Sequence, residues 1–350
     1  MRKYLLPENG QFYKANLHSH STMSDGKLSP EEMKAEYQKR GYSVIAYTDH
    51  NVMVPHPELT DENFVALTGT EYDFDNETEE NPYHVIPVCH ICLIALDPDN
   101  VVQPCFSLPN RYYDRIVSFN DPRYTVTYDK TQPNYSRDYT PECINNIMKT
   151  AREKGFFVTY NHPTWSLERF EIYGKYEGMN AMEICNYGCV TEGYDEYNAA
   201  QYDEMLSAGK KIFCIATDDN HNHYSFDSPR CDSFGGFTMI KAKKLEYRSI
   251  TDALVKGHFY ASMGPEIYSL YLEGNKLHIK TSDAKRIVFA TGIRHCHTAY
   301  PTNGDHINEA EFELRPDDIY VRVTVFGMDG KPADTNAYFL EDILGESDKM

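Results

Sequence analysis

Basic side chains are scarce in this 350-residue chain: 34 Lys and Arg stand against 53 Asp and Glu, a formal charge of −19. A nucleic-acid backbone is held by clustered Lys and Arg, so this balance argues against a long nucleic acid as the main partner. It argues equally against an anionic membrane surface. Long hydrophobic runs are absent. No segment approaches the ~18 continuous apolar residues of a membrane helix. Residues 1–10 have no apolar stretch followed by a small-residue cleavage site, which leaves no sign of a secretory signal. An even set of cysteines is lacking too. The nine present cannot all pair within one chain, and most sit in apolar runs such as Ala181–Cys185. Reduced, buried thiols in a cytoplasmic protein are the expectation. Cys89 and Cys92 form one C-x-x-C, but no second pair follows at zinc-ribbon spacing, so a packing role fits better. Internal repeats and low-complexity tracts are also missing.

What is present is a rhythm. Over residues 1–265, short apolar runs alternate with helical patterns. Seven runs read as strands: 13–18, 43–48, 64–70, 90–96, 156–160, 181–185 and 211–217. Ser29-Pro30-Glu31-Glu32 reads as a capped helix start, and helices are expected near 140–154, 194–208 and 248–256. Such alternation predicts an α/β fold of parallel βαβ units, wound as a barrel or an open sheet. Residues 105–139 break the rhythm and read as an insertion over one face, a candidate lid. After Gly264-Pro265 only short strand-like pieces and turns follow, which predicts a small antiparallel β domain over 266–350.

The 14 histidines are not scattered at random. His18-Ser19-His20 follows the first strand, and Asp25 comes five residues later. Thr48-Asp49-His50 ends the second strand, Glu71 the third, Asn161-His162-Pro163 the fifth and Asp218-Asp219-Asn220-His221 the seventh. His90 opens the fourth run, with His84 just upstream. In a parallel α/β domain the strand ends gather at one face, where active sites form. Imidazole and carboxylate are the usual donors for zinc, manganese and iron. His18, His20, Asp25, His50, Glu71, His90, His162, Asp219 and His221 exceed one tetrahedral site and suffice for two or three divalent ions. His56, His223, His258, His278, His295, His297 and His306 lack the strand-end pattern and read as structural or surface residues.

The series NLHSHSTMSDG, AYTDHN, GTE, NHP and TDDNH, in this order over residues 12 to about 265, resembles the PHP (polymerase and histidinol phosphatase) superfamily. The resemblance implies a distorted seven-stranded, TIM-like β/α barrel with a cluster of usually three ions. It implies hydrolysis of phosphate esters. It matches His18 and His20 to the first histidine pair, Asp25 and His50 to the next two ligands, and Glu71 to a bridging carboxylate. His162 matches the later histidine motif, and Asp219 with His221 an Asp-x-His motif. Asp218 stays an alternative to Asp219. His90 is preferred to His84 because its apolar run is longer.

The chemistry expected is attack by metal-activated water on a small phosphorylated molecule, with no separate protein base. Asp49 is a candidate to orient a ligand histidine, and Arg137 and Arg230 are candidates to hold a substrate phosphate. Three alternatives stay open. One is an amidohydrolase-like hydrolase, which would normally add a bridging lysine that no strand end supplies. Another is a phosphodiesterase or nuclease on mono- or short oligonucleotides, and the last is a scaffold using metals structurally. Oligomeric state is not legible.

Overall fold

The computed structural model describes residues 2–132 and 134–344. Residue 133 of the expected insertion and residues 345–350 of the expected C-terminal domain lie outside the described residues.

The chain opens with β1 (Arg2–Tyr4), β2 (Gln11–Asn16), α1 (Pro30–Gln38), β3 (Tyr42–Tyr47), β4 (Val65–Phe74) and β5 (Cys89–Ala95). The Ser29 hydroxyl accepts from the Glu32 backbone N–H while the Glu32 carboxylate accepts from that of Ser29, so α1 starts at the expected capping box. Next come β6 (Val102–Gln103), α2 (Arg111–Phe119), β7 (Thr127–Tyr128), α3 (Pro141–Glu153) and β8 (Phe156–Tyr160). Then follow α4 (Phe170–Tyr173), β9 (Ala181–Asn186), α5 (Tyr187–Glu192), α6 (Ala199–Ser207), β10 (Phe213–Thr217), β11 (Phe237–Ala242), α7 (Tyr247–Val255) and β12 (Phe259–Ser262).

All seven expected strands are present, as β2, β3, β4, β5, β8, β9 and β10. The sheet is not purely parallel. β2–β3, β3–β4, β8–β9 and β9–β10 are parallel, but β5 runs antiparallel to both β4 and β8. β11, which the sequence did not reveal, lies antiparallel against β2 and β12. The sheet curls round one interior cluster. Ala15, Val44, Leu67, Ile94, Phe157, Ala181, Ile215, Ile240 and Phe259 come from the nine strands β2–β5 and β8–β12, and Leu254 of α7 joins them. Between β10 and β11 the Thr238 hydroxyl bridges the N–H and C=O of Ala216. No backbone ladder joins this pair among the described residues. The sheet is thus curled and parallel-rich, and no ladder closing it into a barrel is detected among the described residues.

Helices α3 and α6 cover the outside, where Ile144, Ile147, Met148, Tyr202 and Met205 pack with Val158, Tyr160, Met182 and Cys214. The expected helix over 194–208 is shorter: α6 begins at Ala199, and α5 precedes it as a separate turn. Residues 105–139 contain α2, which the sequence reading missed among their aromatic residues. Asn110 caps it by accepting from the N–H groups of Tyr112 and Tyr113.

The C-terminal strands are antiparallel as expected: β13 (Ile267–Glu273), β14 (Lys276–Thr291), β15 (His297–Ala299), β16 (Ile307–Glu313), β17 (Tyr320–Gly327), β18 (Pro332–Thr335) and β19 (Tyr338–Phe339), with α8 (Leu340–Ile343). Residues 276–291, where only short pieces were expected, form one long strand, β14, with register shifts near Ala284. β1 pairs with β13 and β12 with β18, so these strands continue the sheet of the N-terminal region. Arg322 on β17 adds a polar link, because both of its outer nitrogens and Nε reach acidic side chains of α6 and β18. No helix of the described residues is long and apolar enough to cross a membrane.

Candidate metal centre

The direction of β5 decides which residues meet. β4 and β5 form a hairpin in which Asp73 stands opposite His90 and Glu71 opposite Cys92. The start of β5 therefore lies at the face where β2, β3, β4, β8, β9 and β10 end. His18 and His20 follow β2, His50 follows β3, Glu71 sits on β4, His162 follows β8, and Asp219 and His221 follow β10.

Glu71 is the centre of the cluster and only 1% exposed. Its Oε1 lies 3.1 Å from His18 Nε2, 3.2 Å from His90 Nδ1 and 3.4 Å from His162 Nε2. Its Oε2 lies 3.1 Å from His50 Nδ1 and 3.4 Å from His20 Nε2. Asp219 Oδ1 is 3.1 Å from His18 Nε2 and 3.0 Å from His20 Nε2. Asp25 forms a second lobe, 3.8 Å from His50 Nε2 and 3.6 Å from His221 Nε2. Ligands on a tetrahedral ion with ~2.1 Å bonds stand about 3.4 Å apart, so these spacings fit donors round a shared cation as well as hydrogen bonds.

Polar satisfaction gives an independent test. Glu71 Oε2, Asp219 Oδ1 and His50 Nδ1 are buried without a hydrogen-bond partner. Buried polar atoms are almost always paired, and these three belong to one cluster; the other unpaired buried atoms, on Tyr42, His56, Arg137 and Tyr338, lie on residues outside the donor set. Four overlapping groups can hold an ion: His18, His20, Glu71, Asp219; His20, Asp25, His50, His221; His50, Glu71, His90; and His18, His162, Glu183.

Electrostatics agree with a site made for positive charge. Burial disfavours the ionised Glu71 and Asp219, but the surrounding imidazoles outweigh it and hold both well below the usual carboxylate range. Asp25 is likewise drawn down to about 2 by His20, His50 and His221, against its burial. Burial lowers His50, and lowers His221 to about 4, with the charge of His20 adding to it.

Glu183 on β9 was not singled out from the sequence. Its Oε1 accepts from His18 Nδ1 (2.7 Å) and the Thr217 hydroxyl (2.6 Å), and its Oε2 from the His162 N–H and Asn186 Nδ2, both 2.9 Å. Both oxygens are thus spent on hydrogen bonds. Glu183 acts on the cluster by turning His18, whose Nδ1–H it takes, so that Nε2 faces the carboxylates. A lone acid inside an otherwise apolar run is the signal that marks it. Glu183→Gln is expected to weaken metal binding about 10- to 100-fold with the fold retained, measured by chelator competition and circular dichroism. Unchanged affinity would reduce Glu183 to packing.

The other predicted residues separate cleanly. Asp218 turns away and accepts from Tyr37 OH and the N–H groups of Phe234, Gly235 and Gly236. His84 is exposed on a short turn, whereas His90 is buried in the cluster. Asp49 accepts from the N–H and hydroxyl groups of both Ser21 and Ser24. It braces the loop carrying Asp25 and makes no hydrogen bond to a histidine, which corrects the expected role. Gly26 belongs to the same loop, where a Cβ would lie 2.2 Å from the His20 carbonyl oxygen. Three residues at the site adopt left-handed backbone, Asn51 (φ 61), His162 (φ 27) and Asp219 (φ 51), and such strain persists only where the surroundings enforce it.

A cavity of about 1140 Å³ opens over the cluster. The insertion supplies one wall through Asn110, Arg111, Tyr112 and Arg137. Tyr112 OH donates to Asp25 (3.3 Å). Arg137 stacks on Tyr72, 3.7 Å from the ring centre, and donates to the Asn51 side chain. Arg230 also lines the cavity and donates to Tyr224 OH (3.0 Å).

Among solved structures, a two-domain protein from Bacteroides vulgatus containing a predicted PHP-like metal-dependent phosphoesterase aligns at 14% identity and TM-score 0.44. The alignment covers 96% of this chain and 90% of that one. A candidate metal-dependent phosphoesterase from Bifidobacterium adolescentis aligns at 14% identity and TM-score 0.34, over 63% and 91% of the two chains. An amidohydrolase from Chromobacterium violaceum with bound sulfate and no metal aligns at 14% and 0.33, over 62% and 93%. No curated protein matches. Residues 16–216, more than half of the chain, match the PHP domain model, and this stretch carries every donor of the cluster except Asp219 and His221: the chain belongs to the PHP domain family.

Proposed function

We propose that the protein is a metal-dependent phosphoesterase that hydrolyses a phosphate ester of a small molecule at two or three divalent ions. The observation that carries this reading is the placement of Glu71, whose two oxygens face different sets of imidazoles. His18, His20, Glu71 and Asp219 would hold one ion, Asp25, His50 and His221 a second, and Glu71 with His90 and His162 a third. Imidazole and carboxylate donors suit zinc, manganese or iron. Bound there, such ions neutralise phosphoryl charge and lower the pKa of a water molecule.

The chain's own groups supply orientation and enclosure. Glu183 fixes the His18 ring, Asp49 the Asp25 loop, and Tyr112 the Asp25 carboxylate. Arg137, backed by Tyr72, and Arg230 offer cations to an anionic substrate from the cavity lining. No protein base is assigned. The net charge of −19 disfavours long nucleic acids but not small phosphate esters, because bound ions reverse the field locally.

Metal analysis of protein purified without chelator is expected to find more than one transition ion per chain. A panel of phosphomonoesters, phosphodiesters and amide substrates with manganese and zinc is expected to show ester hydrolysis. Full activity in metal-free protein, or turnover of amides alone, would overturn the reading.

A further inference from the structure

The cavity is far larger than a phosphate group needs. Pockets of ~300–1,000 Å³ enclose whole organic ligands, and this one holds about 1140 Å³. One residue in it has no task in holding ions. Trp165, the single tryptophan of the chain, is half-buried in the cavity wall. Its ring centre lies 4.9 Å from that of His162 and 5.4 Å from that of His90. Tyr83 stands 6.4 Å away, tilted by 57°.

Trp165 is held rigidly. Its backbone N–H donates to Glu196 Oε2 (2.7 Å), and the N–H of Thr164 to the other oxygen (3.3 Å). Its indole Nε1 donates to Glu192 (3.2 Å). The loop that carries it is closed behind by buried Glu168, which accepts from Tyr139 (2.8 Å), Tyr160 (2.6 Å) and Tyr176. Two left-handed residues, His162 (φ 27) and Leu167 (φ 57), flank it. A loop this strained, tied by three carboxylates, presents its aromatic side chain in one place at little entropic cost to a ligand.

The polar tips of both aromatic residues are already used. Trp165 Nε1 binds Glu192, and Tyr83 OH lies 3.0 Å from His90 Nε2. What they offer a ligand is therefore ring surface, which favours another planar ring in an offset or edge-to-face arrangement. A sugar would use polar partners beside the rings, where the cavity offers carboxylates such as Asp75, Glu77 and Glu192, so a sugar ester is included in the test.

We infer that Trp165, with Tyr83, is an aromatic platform beside the cluster that selects phosphate esters whose organic part carries an aromatic ring. The inference rests on the proposed phosphoesterase activity for the ester, and on the platform for the ring.

The test compares benzyl phosphate with butyl phosphate, whose leaving alcohols are of similar basicity, and adds a hexose phosphate. Metal-loaded protein is expected to show kcat/KM for benzyl phosphate at least tenfold above butyl phosphate and hexose phosphate. Trp165→Ala should shrink the benzyl-to-butyl ratio at least fivefold, and Trp165→Phe should restore most of it. Benzyl phosphate should also quench the fluorescence of Trp165 in the wild-type protein at concentrations where butyl phosphate does not. Equal ratios in wild type and Trp165→Ala, or a preference for the hexose ester, would overturn the platform. If no ester is hydrolysed, the phosphoesterase reading fails. The quenching titration still decides the platform, which falls if butyl and benzyl phosphate behave alike.

Discussion

Glu71→Gln is expected to lower phosphoester hydrolysis about a thousandfold or more, the loss of several kcal/mol of charge stabilisation. The reason is geometric. A carboxylate can bind a cation through each oxygen, whereas the amide of Gln puts a donor NH₂ where one set of imidazoles, either His18, His90 and His162 or His20 and His50, would share an ion. The two side chains are nearly isosteric, so the fold should be kept while bound metal falls by at least one ion per chain. Atomic absorption and steady-state kinetics on the same preparation would check both. Wild-type activity in the variant would remove Glu71 from the bridging position.

Arg322→Ala is expected to destabilise the protein by about 3–5 kcal/mol, the usual cost of removing one partner of a buried ion pair. Arg322 is 6% exposed. It grips Asp203 of α6 through Nε and Nη2, both 2.7 Å, and reaches Asp334 of β18 at 3.3 Å. Asp334 is 2% exposed and also accepts from Thr324 (2.6 Å) and Tyr197 (3.0 Å). Without Arg322 it would be a buried carboxylate with no compensating cation. Equilibrium urea denaturation measures the loss. The double variant Arg322→Ala with Asp334→Asn should recover part of it, because the uncompensated charge is then gone. A loss below about 1 kcal/mol would show that the joint between α6 and the C-terminal strands does not depend on this pair.

Most of the cluster was legible because its residues follow apolar runs that can only be buried strands, and the ends of parallel strands share a face. Where sequence reading stopped, the cause is tertiary. His90 begins its strand rather than ending it, and only the antiparallel direction of β5 brings it beside Glu71. Asp218 and Asp219 are neighbours of the same chemistry. They part because three backbone N–H groups of residues 234–236 capture Asp218, a contact no local pattern announces. Glu183 was overlooked because its partners His18, His162 and Thr217 come from three other strands or their ends. In the aromatic stretch 105–139, α2 was hidden because its stabilising contacts are made with residues distant in sequence, such as Met23 and Val52, rather than along its own sequence.

The reversed strand has one more consequence. Ala95 at the end of β5 pairs with Phe156 at the start of β8, and the Leu96 N–H donates to the Gly155 carbonyl (3.0 Å). Residues 96–155 are therefore the connection of a single hairpin, pinned shut at its base on the side away from the ions. Everything that roofs the cavity from this stretch, α2 and Arg137 included, is an excursion leaving and re-entering through one gate. Loop-closure cost rises only slowly with length. The part of the excursion ahead of α3, whose apolar face packs on the sheet, can thus be lengthened, shortened or exchanged while the strands that aim the donors keep their register. The chain is built as a fixed ion-holding floor beneath an interchangeable ceiling.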